Sequence, residues 1–210
     1  MKNTNVPIRV LIADDHKIVR AGLAALLGTE KDIEVVGFAE NGRDAVAQAM
    51  KLQPDVVIMD LMMPVMDGVR ATEKIIQNHP ETRIVILTTY TSSDDISRAL
   101  SAGALGALAK TANNAELVAA IRSVVQGKQY ISPEIAQTLE DDPPTRELTA
   151  KQLDILHAVT RGLTNDEIAN MLEISPNSVK KQLKSIFAKL GVATRAEAAT
   201  IALRKHLLKI

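Results

Sequence analysis

Short, continuous runs of apolar residues rich in Val and Ile recur through the first 125 residues, and each is followed by an amphipathic stretch of helical spacing. Both faces of these runs are apolar, which is typical of parallel strands covered by helices on both sides. The runs lie at Val10–Ala13, Val35–Phe38, Val56–Met59 and Ile84–Leu87, with a weaker fifth at Ala107–Ala109. The helical stretches lie at Lys17–Leu27, Arg43–Leu52, Val69–Asn78, Asp95–Ser101 and Glu116–Val125. Five such units predict an α/β doubly wound fold with a five-stranded parallel sheet.

The composition excludes several classes of protein. Hydrophobic residues make up 46% of the 210 residues, which is enough to build a core. The chain has no cysteine, which excludes disulfides and thiolate chemistry, and its 2% of aromatic residues argues against base stacking on single strands. Arg9 interrupts the N-terminal apolar stretch, and no apolar run approaches the roughly 18 residues of a membrane span. We therefore expect a cytoplasmic protein that does not insert into membranes.

Charge is distributed unevenly along a chain whose net charge is zero. Residues 131–144 hold four acidic residues, no basic residues and the pair Pro143 and Pro144, whereas residues 145–210 hold 11 basic and 6 acidic residues. This break predicts a first domain at 1–130, an interdomain linker at 131–146 and a second domain at 147–210. The basic second domain suggests a polyanionic partner.

Polar side chains follow the predicted strands at the points where those strands end. Asp14 and Asp15 follow the first strand, Asp60 the third, Thr88 the fourth and Lys110 the fifth. In a sheet of order 2-1-3-4-5 the topological switch lies between strands 1 and 3, and ligands bind at the carboxyl ends of the strands there. A single Asp in such a position usually caps a helix. Five polar residues at one edge instead predict a binding site.

Three carboxylates at one edge repel one another unless their pKa values rise or a cation binds. An all-oxygen site with few ligands suits Mg²⁺, and a carboxylate beside that ion can act as a nucleophile and form an aspartyl phosphate. A lysine and a threonine hydroxyl nearby can bind phosphoryl oxygens. The residue types therefore predict a magnesium-dependent site for phosphoryl transfer.

Four motifs in this domain resemble the receiver domain of bacterial response regulators. They are Ile12–His16 (IADDH), Val56–Gly68 (VVIMDLMMPVMDG), Leu87–Thr89 (LTT) and Gly103–Lys110 (GALGALAK). The resemblance implies a flavodoxin-like fold in which Asp60 is the phosphoacceptor. It further implies that Mg²⁺ is held by Asp14, Asp15, Asp60 and the backbone carbonyl of Met62, and that Thr88 and Lys110 bind the phosphoryl group.

Helix-start signals divide the second domain into four helices, which predicts an all-α fold. Three capping boxes occur, at Thr149 with Gln152, Thr164 with Glu167 and Thr194 with Glu197. Ser175 followed by Pro176 is a fourth start signal. Only three residues separate the second helix from the third, and this short turn is typical of a helix-turn-helix.

The third helix of this domain carries an apolar stripe and an exposed basic face. The stretch Leu148–Ala199 resembles the LuxR-type helix-turn-helix, although Gln152 and Ser178 replace the usual Glu and Thr. A helix of this kind fits the major groove of double-stranded DNA. The predicted DNA contacts are Asn177, Ser178, Lys180, Lys181 and Lys184.

A receiver joined to a LuxR-type module resembles the NarL/FixJ-type response regulators. The resemblance implies a DNA-binding transcription factor controlled by phosphorylation of Asp60. It also implies a sensor histidine kinase as partner and a homodimer in the active state. No enzymatic turnover is expected beyond possible self-dephosphorylation.

Two alternatives remain at this point. Receivers usually carry Tyr or Phe where this chain has Ala107, so the chain could be a phosphorylation-independent regulator whose atypical receiver is an interaction module. A Mg²⁺-dependent phosphatase with an Asp nucleophile is the second alternative. Such enzymes typically need a carboxylate two residues after the nucleophile, where this chain has Met62, so turnover of external phosphate esters is not expected.

Overall fold

The structure is a computed structural model that describes residues 6–89, 92–144, 148–205 and 207–208. The chain divides into two compact units, Met1–Asp142 and Pro143–Ile210. Among the helices of the described ranges, none is both long and apolar enough to cross a membrane.

The first unit is built on a parallel sheet of order β2-β1-β3-β4-β5-β6. The predicted α/β fold is confirmed, but the predicted count of five strands is wrong, because a short sixth strand pairs with β5. The strands are β1 (Ile8–Ala13), β2 (Ile33–Ala39), β3 (Val56–Met59), β4 (Arg83–Thr88), β5 (Gly106–Ala109) and β6 (Tyr130–Ile131).

Helices cover both faces of this sheet, and the alternation of side chains along each strand decides which core each residue enters. Leu11 and Val57 belong to the core on the face of α2, α3, α4 and α6, whereas Val10 and Val56 belong to the core of α1 and α5. The six helices are α1 (Lys17–Leu27), α2 (Gly42–Leu52), α3 (Gly68–Asn78), α4 (Ser93–Ser101), α5 (Asn114–Val125) and α6 (Pro133–Asp141).

Most of the segment expected to be a linker is part of this first unit. Strand β6 pairs with β5, and the Ser132 N–H donates to the Ala107 carbonyl at 3.0 Å. Helix α6 then begins with Ser132 as N-cap and Pro133 at its first turn, and it buries Ile135 in the core. The acidic residues and the prolines that follow them obscure this helix in the sequence. Its start signal, Ser132 followed by Pro133, is of the same kind as Ser175 followed by Pro176 in the second unit.

The described residues of the second unit form four helices around one core, as the start signals predict. All three capping boxes are formed, and Ser175 caps the third of these helices. The helices are α7 (Ala150–Thr160), α8 (Asn165–Met171), α9 (Pro176–Leu190) and α10 (Arg195–Arg204). Their shared core includes Ile155 and Leu156 of α7, Ile168 of α8 and Ile186 of α9.

Candidate functional sites

The register of the sheet brings the acidic residues of β1 and β3 together. Ala13 and Met59 are partners in the β1–β3 pair, so the next residues, Asp14 and Asp60, leave the sheet side by side. Backbone hydrogen bonds extend the pairing beyond the strands: the Asp60 N–H donates to the Ala13 carbonyl at 2.8 Å, and the Asp14 N–H donates to Ala39 at 3.1 Å. The strand order therefore places these carboxylates, as the sequence predicted.

Four side chains at this edge could hold a cation together. Asp14, Asp15, His16 and Asp60 each offer one ligand atom, and these atoms lie within 4.8 Å of one another. Asp14 and Asp60 are only 2% and 4% exposed, so their carboxylates are largely withdrawn from water. Carboxylate oxygens are the ligands that hard divalent cations prefer, and the donor set therefore fits such an ion.

Lys110 inserts its ammonium group between the two buried carboxylates. Its Nζ lies 2.5 Å from Asp14 Oδ2 and 2.7 Å from Asp60 Oδ2. The backbone of Lys110 is fixed in turn, because its N–H donates to the carbonyl of Thr88 at 2.7 Å. Thr88 ends β4 and is 3% exposed. All five residues that the sequence singled out therefore lie at the carboxyl edge of adjacent strands.

Burial and neighbouring charges shift the pKa values of both Asp60 and Lys110. Desolvation raises the pKa of Asp60, with a further contribution from the charge of Asp14, and together they outweigh the hydrogen bond from Lys110. Burial opposes the charge on Lys110, but its hydrogen bonds to Asp14 and Asp60 are stronger in sum and raise the pKa of the ammonium. Lys110 therefore keeps its positive charge, whereas ionisation of Asp60 costs free energy.

The loop after Asp60 is held tightly against it. The Met62 N–H donates to Asp60 Oδ1 at 3.3 Å, and the Gly68 N–H donates to the Leu61 carbonyl at 2.9 Å. A Cβ atom on Gly68 would lie 2.1 Å from the Asp60 carbonyl oxygen, so no larger residue fits without moving this backbone. The start of α3 thus fixes the backbone position of Asp60.

Two residues at this site, His16 and Arg20, make contacts that were not predicted from the sequence. The Nδ1 atom of His16 lies 2.7 Å from Asp15 Oδ1. The buried Arg20 donates from Nη1 to the Asp14 carbonyl at 2.6 Å, and its Nη2 lies 2.5 Å from Glu40 Oε1. In the sequence Arg20 resembles any other basic residue of α1, because its contact with Glu40 depends on the pairing of β2 with β1 and its contact with Asp14 on the packing of α1.

In the second unit, α8, a short turn and α9 form the predicted helix-turn-helix. Glu173 lies in the turn with φ 53°, and the Ile174 N–H donates to the Ala169 carbonyl at 3.0 Å, which ends α8. The apolar stripe of α9 is buried, as predicted, and consists of Val179, Leu183, Ile186 and Leu190.

The opposite face of α9 is basic and exposed. Lys180, Lys181 and Lys184 are all exposed, and Asn177 precedes them at the exposed start of the helix, with Ser178 half-buried beside it. Lys189 differs, since it is half-buried and its Nζ donates to Gln152 Oε1 at 2.8 Å.

Gln152 fixes the orientation of α9 relative to α7. It is 5% exposed, and its Nε2 donates to Gln182 Oε1 and Ser185 Oγ, each at 3.2 Å. Its Oε1 also accepts from the Thr149 N–H at 3.1 Å, which closes the capping box at the start of α7. The Gln152 amide therefore caps α7 and also holds α9. In this position α9 presents its lysine face to solvent.

Comparison with known families identifies both domains. Residues 10–122 match the response regulator receiver domain, and residues 146–202 match the bacterial regulatory proteins of the LuxR family. The chain belongs to the two-component response regulators, with a flavodoxin-like receiver and a LuxR-type DNA-binding domain.

Individual relatives cover nearly the whole chain. The transcriptional regulatory protein LiaR of Bacillus subtilis is 39% identical over 209 residues, covering 96% of this chain and 99% of its own. The response regulator VraR of Staphylococcus aureus (strain NCTC 8325) is 34% identical over 207 residues, which cover 96% of this chain and 99% of VraR. A structure of RcsB from Salmonella enterica serovar Typhimurium on promoter DNA with the phosphomimetic BeF₃⁻ matches at TM-score 0.72, with 27% identity and 96% and 99% covered.

We expect Asp60→Asn to stabilise the receiver in the absence of divalent ions, by about 1 kcal/mol at neutral pH, because a buried charge is removed. A raised pKa means that the folded state favours protonated Asp60. Wild-type stability is therefore lost as pH rises through the folded pKa, and the advantage of the variant should vanish below the ordinary Asp pKa of about 4.

Thermal unfolding of both proteins across this pH range, followed by circular dichroism in chelator, measures the difference. Glu34→Gln, which removes an exposed carboxylate from β2, is the matched control and should change little. A variant no more stable than the wild type at neutral pH would contradict the stated cost of the Asp60 charge.

Proposed function

We propose that Asp60 accepts a phosphoryl group from a sensor histidine kinase and that this modification controls binding of the second domain to double-stranded DNA. The observation that carries the proposal is the position of Asp60, whose Oδ2 lies 2.7 Å from Lys110 Nζ and whose carboxylate shares a cluster with Asp14 and Asp15. A nucleophilic carboxylate, an acidic cation site and a permanent ammonium are the parts that phosphoryl transfer to Asp requires.

The chemistry follows from these positions. A carboxylate oxygen of Asp60 forms a bond to phosphorus as the bond from phosphorus to the histidine nitrogen of the donor breaks. Lys110 moves from its two carboxylate partners to the phosphoryl oxygens, and the Thr88 hydroxyl donates a hydrogen bond to another. Asp14, Asp15, Asp60 and the Met62 carbonyl would hold Mg²⁺, and the ion would neutralise part of the phosphoryl charge when bound.

Charge on Asp60 changes strongly on modification, from one negative charge to about −2 on the phosphoryl group. Lys110 is buried and shares both carboxylates, so its contacts with Asp14 and Asp60 must rearrange when the phosphoryl group arrives. The Lys110 backbone is bonded to Thr88, so this rearrangement reaches the ends of β4 and β5. We propose that this step favours a homodimer in the cytoplasm that binds paired DNA half-sites.

DNA recognition is assigned to α9. The exposed Lys180, Lys181 and Lys184 lie opposite its buried stripe, and Asn177 and Ser178 stand at its start, where helices of this type approach the major groove. The similarity to the RcsB structure on promoter DNA in the presence of BeF₃⁻ supports both halves of the proposal.

A phosphorylation-independent regulator is the second candidate, and Ala107 favours it. Ala107 is fully buried in β5, pairs with Ile131 of β6 and lies in the same core as Ile135 of α6. The position that carries a mobile aromatic ring in most receivers is thus filled by a methyl group under a helix. In this candidate the receiver acts only as an interaction module.

Incubation with acetyl phosphate and Mg²⁺ separates the two candidates. We expect intact-mass spectrometry to show one added phosphoryl group, which disappears in Asp60→Asn because the amide is not a nucleophile. Chelation of Mg²⁺ should also prevent the addition. Wild-type protein that gains no phosphoryl mass at saturating Mg²⁺ would favour the phosphorylation-independent candidate.

Lys184→Ala should weaken binding to a duplex of mixed sequence and reduce the slope of log affinity against log salt by about 1, since one phosphate contact is lost. Fluorescence anisotropy at several salt concentrations measures both quantities. Lys128→Ala, an equal charge change at an exposed site of the receiver, is the control. Equal losses in the two variants would mean that α9 has no special role in DNA binding.

A further inference from the structure

We propose that Arg20 is a positioning residue of the carboxylate site, which sets the affinity of that site for its divalent cation. The inference rests on the proposed function, because it takes Asp14 and Asp15 to be the residues that hold Mg²⁺. It adds a residue from α1 whose guanidinium contacts neither the reacting carboxylate of Asp60 nor any carboxylate oxygen of Asp14 among its described hydrogen bonds.

Arg20 acts on the peptide that joins the two acidic residues. Its Nη1 donates to the carbonyl oxygen of Asp14 at 2.6 Å. That oxygen belongs to the same rigid plane as the N–H of Asp15, so the hydrogen bond fixes the direction in which the chain leaves β1. Asp15 lies beyond the end of the strand and is more exposed than Asp14. Its orientation therefore depends on this peptide more than that of Asp14 does.

The remaining polar groups of Asp14 are already engaged in compatible contacts. Its N–H donates to Ala39 at 3.1 Å, Oδ1 accepts from the His16 N–H at 2.8 Å, and Oδ2 contacts Lys110. Because Arg20 donates to the backbone carbonyl of Asp14, it holds Asp14 without occupying either of its carboxylate oxygens. A second ion pair with this carboxylate, in addition to that of Lys110, would instead compete with the divalent cation.

Burial makes this contact specific. Arg20 is 7% exposed, and a buried guanidinium needs partners for its charge and its N–H groups. Glu40, which follows β2 and has a 70% exposed side chain, supplies the charge at 2.5 Å from Nη2. Arg20 thus connects the ends of β1 and β2 through the two terminal nitrogens of its planar guanidinium group. A lysine has a single ammonium and cannot reproduce that geometry.

The test compares Arg20→Ala, Arg20→Lys and wild type in Mg²⁺ titrations of the full chain. Binding is followed by chemical shifts in nuclear magnetic resonance spectra, and phosphorylation by acetyl phosphate is measured across the same concentrations. We expect the half-saturating Mg²⁺ concentration to rise about tenfold in Arg20→Ala and about threefold in Arg20→Lys, as for other residues that orient metal ligands. The rate at saturating Mg²⁺ should change much less.

Leu23→Ala separates positioning from loss of stability. Leu23 lies on the same helix and packs against the core of α1 and α5, so its truncation should lower the melting temperature without changing half-saturation by Mg²⁺. Equal half-saturation in wild type and both Arg20 variants would overturn the inference while leaving the proposed function intact. Failure of the wild type to bind Mg²⁺ at all would overturn both.

Discussion

Repulsion among the acidic side chains at the end of β1 and β3 is the constraint on which the rest of the receiver depends. Two of these carboxylates are almost fully buried, and such a pair needs a nearby cation or a raised pKa to fold together. Lys110 supplies that charge, with its ammonium 2.5 Å from Asp14 and 2.7 Å from Asp60. The buried charges carry an electrostatic cost, and the proposed phosphorylation of Asp60 would change that cost directly.

The remainder of the receiver serves to hold these groups in place. The β1–β3 register sets the distance between two strand ends, the Thr88 carbonyl fixes the backbone of Lys110, and Gly68 allows α3 to start against Asp60. The second unit follows the same logic with different chemistry. There Gln152 holds α9 by side-chain hydrogen bonds, while the buried stripe and the lysine face lie on different sides of that helix.

Much of this arrangement could be predicted from the sequence, because it follows from local patterns. The Val and Ile runs identify five strands, polar residues at their ends identify the site, and capping boxes identify the helices of the second unit. Strand β6 is only two residues long, too short to show a pattern, and α6 was hidden by the acidic break despite its Ser132–Pro133 start. The contact of Arg20 with Glu40 depends on the pairing of β2 with β1, and its contact with Asp14 depends on the packing of α1. No local pattern reports either.

We propose that phosphorylation of Asp60 changes the affinity of α9 for DNA. The most direct measurement is the affinity of the full chain for duplexes selected from a random pool, taken before and after stoichiometric phosphorylation at constant salt. We predict that the phosphorylated protein binds at least about tenfold more tightly, within the usual range of coupling free energies between two sites. Identical affinity of fully phosphorylated and unmodified protein would contradict it, and would leave the receiver as an interaction module.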